Sequence, residues 1–526
     1  MSSRSDDDQS TNELRGRRAF LGAVTAGVGL AATGVAPVQA GSPPVQFPGD
    51  RMTFGGGGSA AGAVNRSEVD LFDCEVDGHL PDDLDGAFFR VGPDPQYPKS
   101  DKYARDIVFD GEGHVSMFRI SGGHVDYKTR YARTQRWKAQ HAARRSLFGM
   151  YRNPTTDDPS VAGLSRGTAN TQLFYHHGKL LVYKEDSPPV AMDPLTLATT
   201  DDYYTFGGGF KSLTHTAHPK IDPLTGEYIS FGYEAKGLAS DDIYIFSTDK
   251  HGTVNWETWI KAPYAGMIHD FAVTQKHIAF FVIPMATNVE RIRAGAVHFA
   301  YDSTLPSYMG VVRRGGDGKD IRWFTGQQLM CTHVMGAWSD GEMVYVDMDG
   351  GEANQFPFFP NLYEPFDFQK AAGRVRRFKM NLANKRSKSY EVETLYPEVT
   401  GALARQDDRF HTLPYRYGFL NLFGPAGGGW AMFDHQKKLA KVFAPGADVN
   451  LAEATFVPRN SAAGEGDGYL IGVADHKSEN GRSDLILVDT QHIDAGPIAR
   501  VKMPYRVVGQ VHGFWVPAAQ LPQMPV

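Results

Sequence analysis

The chain has 526 residues but only two cysteines, Cys74 and Cys331. Two thiols so far apart build neither a structural zinc site nor a disulfide-stapled scaffold. One Cys74–Cys331 bridge is conceivable, but two free thiols are the expected state. A cationic excess is missing as well: 54 Lys and Arg stand against 60 Asp and Glu, a formal net charge of −6. A nucleic-acid partner is therefore not expected. No Gly-rich loop follows a strand, which argues against a nucleotide fold. No nucleophile-elbow pattern occurs either. Long helical periodicity is nearly absent, the one candidate helix being 137–150. Disorder is excluded, because 12% aromatic and 41% hydrophobic residues suffice for a large core.

One uncharged apolar run exists, residues 21–36, and it is short of the roughly 20 residues a bilayer demands. It follows Arg15-Gly16-Arg17-Arg18-Ala19-Phe20-Leu21 and closes on Val38-Gln39-Ala40, a small-x-small cleavage pattern. Paired arginines before a mild apolar run resemble a twin-arginine signal. Residues 1–40 are thus expected to engage the twin-arginine export machinery and to direct the protein to the periplasm or outside the cell. An ordinary secretory signal or a retained anchor is the alternative. Residues 41–60, with Gly55-Gly56-Gly57-Gly58, read as a linker, and 61–526 as the folded body.

That body is rich in turns, with 57 Gly and 31 Pro. Between them lie short β-rich runs at 180–184, 227–233, 243–247, 277–283, 342–347, 374–380, 430–434, 469–473 and 484–488. Asp222-Pro223-Leu224-Thr225-Gly226, Asp249-Lys250-His251-Gly252 and Ser339-Asp340-Gly341 supply turns. Strand after strand at short spacing predicts an all-β sandwich, barrel or propeller. The body is too long for one sandwich, whereas a seven-bladed β-propeller would use about 66 residues per blade. No clean internal repeat is visible.

Most of the 18 histidines lie in polar surroundings; four sit where a strand meets a turn. They are His218 in Thr-Ala-His-Pro-Lys, His269 in Met-Ile-His-Asp-Phe, His333 in Cys-Thr-His-Val-Met and His512 in Val-His-Gly-Phe-Trp. Their separations are 51, 64 and 179 residues, or one, one and nearly three blades. Four imidazoles from four blades could converge on a propeller axis. Neutral nitrogen donors suit iron, copper, nickel or zinc better than magnesium or calcium.

The flanking residues resemble those of the carotenoid cleavage oxygenase family. They include Gly86-Ala87-Phe88-Phe89-Arg90-Val91-Gly92-Pro93, Phe109-Asp110-Gly111-Glu112-Gly113, Ala217-His218-Pro219-Lys220, Phe456-Val457-Pro458-Arg459 and His512-Gly513. Arg152-Asn153-Pro154, Ala169-Asn170-Thr171, Lys184-Glu185-Asp186 and Phe356-Pro357-Phe358-Phe359-Pro360 look like its lignostilbene dioxygenase branch. The resemblance implies a seven-bladed propeller, capped by loops and short helices, with Fe(2+) on four histidines. His218, His269, His333 and His512 match those ligands. It further implies that three ligands donate their second N–H to glutamates. Glu185 and Glu453 match two of these; at the third position stands Ala402, where weakened iron binding is expected. Gly336 stands where the branch has Asn. In that branch a Tyr and a Lys hold a phenolic hydroxyl, and the nearest counterparts are Tyr103 and Arg136. Phe356, Phe358 and Phe359 are candidates for the substrate wall.

The expected activity is oxidative cleavage of a C=C bond with O₂, giving two carbonyl products from a phenolic, stilbene-type alkene. A phenylpropene such as isoeugenol, or an isoprenoid apocarotenoid, is the alternative substrate. A non-catalytic exported binding propeller is the reading from another class. A zinc hydrolase is disfavoured, since four histidines leave no carboxylate to serve as base. The sequence does not determine the oligomeric state.

Overall fold

The computed structural model describes residues 64–103, 106–423 and 428–522. The expected signal and linker, 1–40 and 41–60, lie outside them. Among the described residues, seven antiparallel sheets of four or more strands form the blades of a seven-bladed propeller, accompanied by a two-stranded pair. Five blades are simple four-stranded meanders, each running outward from the axis in chain order.

Ring closure uses both ends of the chain. His512–Pro517 returns to pair with Gly86–Pro93 as an edge strand of the first blade. Val76–Gly78 pairs with Pro497–Lys502 as the opposite edge of the last blade. Each terminal segment thereby completes a sheet begun by the other, so the first and last blades are tied together by both ends of the chain.

All nine predicted runs are strands; for example, 243–247 lies within Asp242–Thr248 and 342–347 overlaps Met343–Gly351. The helix is shorter than expected, Gln135–Ala143 rather than 137–150. Thr134 begins it by accepting from the Trp137 N–H, and Arg144 ends it in the left-handed region at φ 56°. The Gln140 side chain then accepts from the Leu147 N–H and holds the following loop away from the helix axis. Both cysteines are free thiols, Cys331 in the core.

Inner and middle strands are hydrophobic on both faces because each blade is covered on both sides. Ile229, Phe231, Ile243 and Ile245 of the third blade meet Phe271, Ile278 and Phe280 of the fourth, with the Phe231 and Phe271 ring centroids 4.8 Å apart. Burying each such side chain contributes about 1.5–3 kcal/mol. The predicted turns fix where these strands start. Asp222 accepts from the Leu224 N–H at 2.9 Å, and Gly226 takes the φ of 71° that the turn requires. This turns the chain back directly after Lys220–Ile221 and leaves His218 at the inner end of its blade.

Val516, fully buried between the first two blades with Ala87, Leu173 and Leu180, tests the closure. Val516→Asp should cost at least about 3 kcal/mol in urea unfolding. Ile498→Asp, on an exposed outer position, should stay within about 0.5 kcal/mol of the parent.

Candidate metal centre and substrate wall

Each of the four selected histidines reaches the axis from the inner edge of a different blade. His218 precedes Lys220–Ile221, His269 precedes Phe271–Val273, His333 lies in Met330–Asp340, and His512 opens His512–Pro517. One ring nitrogen of each lies within 4.8 Å of the others, a group that could hold a metal ion. Along the chain, successive ligands are therefore one blade, one blade and three blades apart.

Local chemistry aims each ring. Asp270 ties three blades together: Oδ1 accepts from Lys220 Nζ at 2.7 Å and Oδ2 from the Val334 N–H at 2.8 Å. Lys220 Nζ also donates to the His218 carbonyl at 3.2 Å. The strand carrying His333 is irregular between Cys331 and Val334, a bulge that re-aims a side chain out of the ladder.

Carboxylates hold the outer nitrogens. His269 Nδ1 lies 2.5 Å from Glu185 Oε1, and His512 Nδ1 lies 2.9 Å from Glu453 Oε1. Both glutamates are buried. Burial alone would raise their pKa values, but the neighbouring imidazoles outweigh it and hold them lower. Glu453 also accepts from the Gly513 N–H and from Arg405. Glu185 accepts from the Tyr233 hydroxyl at 3.0 Å, which in turn accepts from Arg152. With Nδ1–H of His269 and His512 committed outward, their Nε2 lone pairs point inward. His269 Nε2 lies 3.3 Å from that of His218 and 3.2 Å from that of His333. Lone pairs facing one another at that distance repel unless a cation sits among them, so the donor set fits a metal ion of the imidazole-preferring class. Burial holds His218 and His512 below the ordinary imidazole range, whereas at His269 burial is outweighed by the Glu185 carboxylate, which raises it. A cavity of about 30 Å³ adjoins the group, lined in part by Gln172, Phe174 and Gln406.

His215 is core: its ring nitrogens face Thr216, Tyr228 and Ser230. Gly336 is explained by space. A Cβ there would come within 2.4 Å of the Tyr415 ring and 2.5 Å of Gln406, so Tyr415 fills the volume an Asn would need.

One expected substrate contact is corrected. Arg136 does not face a substrate. It is 2% exposed, and its guanidinium is consumed by Glu112 at 3.0 Å, Asp110 at 3.0 Å and the Asp110 carbonyl at 2.7 Å. It holds the Phe109–Gly113 turn to the Gln135–Ala143 helix. Arg136 and Lys99 keep Asp110 well below the carboxylate range although burial alone would raise it. Tyr103 is half-buried on the short turn Asp101–Tyr103, beneath Lys102.

Tyr151 and Lys184, which the sequence reading missed, adjoin a run of aromatic rings that leads outward from His269. Phe356 lies 6.0 Å from the His269 ring, Phe358 stacks on Phe356 at 5.4 Å, and Phe109 meets Phe358 at 5.0 Å. Lys184 Nζ stands 5.7 Å from the Phe109 ring and 5.0 Å from the Tyr151 ring. Both residues are buried. Among the described residues, neither the Tyr151 hydroxyl nor Lys184 Nζ has a hydrogen-bond partner. Burial lowers the Lys184 pKa and raises that of Tyr151. Phe359 is core, packed on Tyr151 and Phe299. A partial signal existed for Lys184 alone: it follows the strand Lys179–Tyr183 directly, and a buried lysine is rare without a partner.

The sequence pattern of the family described as retinal pigment epithelial membrane protein (RPE65) matches residues 62–517. The chain is 40% identical over 475 residues to lignostilbene-alpha,beta-dioxygenase isozyme III of Sphingomonas paucimobilis, covering 87% of this chain and 96% of that one. It is 40% identical over 466 residues to isoeugenol monooxygenase of Pseudomonas nitroreducens, covering 86% and 96%. The solved structure of Pseudomonas brassicacearum lignostilbene dioxygenase superposes with a TM-score of 0.83 at 37% identity, covering 86% and 97%.

The closed pairing of Arg136 generates a prediction. Arg136→Ala should destabilise the protein by about 3–5 kcal/mol, because it strands buried carboxylates. Chemical denaturation would show this loss, and Arg133→Ala, at a half-exposed neighbouring arginine, should cost far less.

Proposed function

The chain belongs to the RPE65, or carotenoid oxygenase, family, and from that premise we propose that it is an Fe(II)-dependent oxygenase cleaving the C=C bond of a phenol-bearing alkene of stilbene or phenylpropene type. Its relatives are alkene-cleaving oxygenases, and the chain is one as well; the non-catalytic binding propeller has no support. His218, His269, His333 and His512 would hold the iron. Bound there, Fe(II) would supply the binding and reductive activation of O₂ that alkene cleavage requires.

One observation carries the substrate reading: a buried lysine and a buried tyrosine without protein hydrogen bonds at the end of an aromatic wall that begins on His269. In a low-dielectric wall, an unpaired ammonium favours an anionic or strongly accepting oxygen. Tyr151 and Lys184 would take the phenolic oxygen, with the ring flanked by Phe109, Phe356 and Phe358. This sets the para-alkene towards the histidines. A phenolate pushes electron density through the ring into that alkene, and Lys184 holds the charge before it moves. An apocarotenoid offers no oxygen of this kind at a ring end.

Export is part of the proposal. The Arg17-Arg18 pair and the apolar run to Ala40 support the twin-arginine route, which carries folded proteins and so lets the metal be loaded beforehand.

The test is product formation and O₂ consumption on matched substrates. 4-Hydroxystilbenes or 4-hydroxyphenylpropenes should be cleaved to aldehydes, and their 4-methoxy analogues at least tenfold more slowly. A methyl ether cannot donate to Tyr151 or become an anion beside Lys184, and leaving such groups unpaired costs about 1–3 kcal/mol. Lys184→Met should erase the preference and lower kcat/KM on the phenol about 10- to 100-fold. Equal rates on both substrates would overturn the phenol assignment.

A further inference from the structure

The family pattern expects a third carboxylate at position 402, where this chain has Ala402. The structure nevertheless does not leave His333 without one. Asp349, on the neighbouring strand Met343–Gly351, is fully buried, and its Oδ2 lies 3.3 Å from His333 Nδ1. Thr332 Oγ1 lies 3.1 Å from the same nitrogen and donates its own proton to Asp349 Oδ1 at 2.6 Å. Both oxygens around His333 Nδ1 are therefore acceptors, which fixes the proton on Nδ1 and turns Nε2 towards the axis.

Two bulges make this seat. The irregular step from Cys331 to Val334 frees the N–H groups of Thr332 and His333, and both donate to Asp349 Oδ1 at 3.2 Å. On the facing blade, the strand Gly401–Gln406 is irregular between Ala402 and Arg405, with Leu403 at φ 60°. The N–H of Ala404 released there donates to Asp349 Oδ2 at 3.1 Å. One carboxylate thus caps both bulges and faces the imidazole.

We infer that Asp349 is the positioning residue for His333, a carboxylate relocated from the sixth blade to the fifth that replaces the one absent at Ala402. The inference rests on the Fe(II) reading above. It reverses the expectation that iron is held loosely at this corner. It also accounts for the short side chain: an aspartate on the same sheet as His333 has less distance to cover than a residue reaching from the next blade.

The test is metal affinity, measured by chelator competition on anaerobically reconstituted protein, with the visible spectrum of the Co(II) form as second readout. Asp349→Asn keeps an acceptor for the bulge N–H groups but turns an NH₂ towards His333. It should weaken Fe(II) binding about 10- to 100-fold and alter the Co(II) ligand-field bands. Ala402→Glu in that background should recover most of the affinity, which a purely structural cap would not allow. Ala402→Glu alone should bring no gain, because the seat is filled. Unchanged affinity and spectrum in Asp349→Asn would overturn the inference. So would a tenfold or greater tightening in Ala402→Glu alone, an outcome independent of whether the Asp349 variant folds. A parent chain that takes up no iron at all would instead overturn the iron reading itself.

Discussion

Four imidazole nitrogens crowd one point on the propeller axis, and much of the surrounding structure serves to hold them there. Side chains alone cannot do so, because like lone pairs within 3.2–3.3 Å repel without a cation between them. The protein meets this by spending the outer N–H of three rings on buried carboxylates, Glu185, Glu453 and Asp349. Those carboxylates demand their own partners: Tyr233 for Glu185, Arg405 and Gly513 for Glu453, and three backbone N–H groups with Thr332 for Asp349. Asp270 and Lys220 then lock the blades that carry three of the four rings.

The propeller frame makes that density of polar groups tolerable. Each carboxylate sits between blades whose apolar faces are filled by clusters such as Phe231, Phe271 and Phe280. Hydrophobic packing supplies the stability that the buried polar groups cost. Closure by both chain ends matters for the same reason: His512 opens the very strand that shuts the ring, so the fourth ligand and the final fold are acquired together.

Much of this was legible in the sequence. Strand density, turn chemistry and the His218, His269, His333 and His512 spacings pointed to a propeller with a four-histidine axis, and flanking motifs placed Glu185 and Glu453. What stayed hidden depended on contacts between distant segments. Arg136 is a cation near a family-like motif, and only its pairing with Asp110 and Glu112 reveals that its charge is spent. Lys184 and Tyr151 lie 33 residues apart in the chain, and nothing local announces that they share a wall with Phe109. Asp349 was invisible for a related reason: bulges set its role, and bulges leave no periodic signature. The excess length given to the helix after Ala143 came from side-chain pattern alone, blind to the left-handed cap at Arg144.

The central claim is that the axial histidines form an iron site. It is tested most directly by elemental analysis of protein purified and reconstituted with Fe(II) under anaerobic conditions, beside His269→Ala treated identically. The account predicts one iron per chain in the parent and little retained by the variant. A parent free of iron after reconstitution, or a variant that keeps a full equivalent, would contradict it.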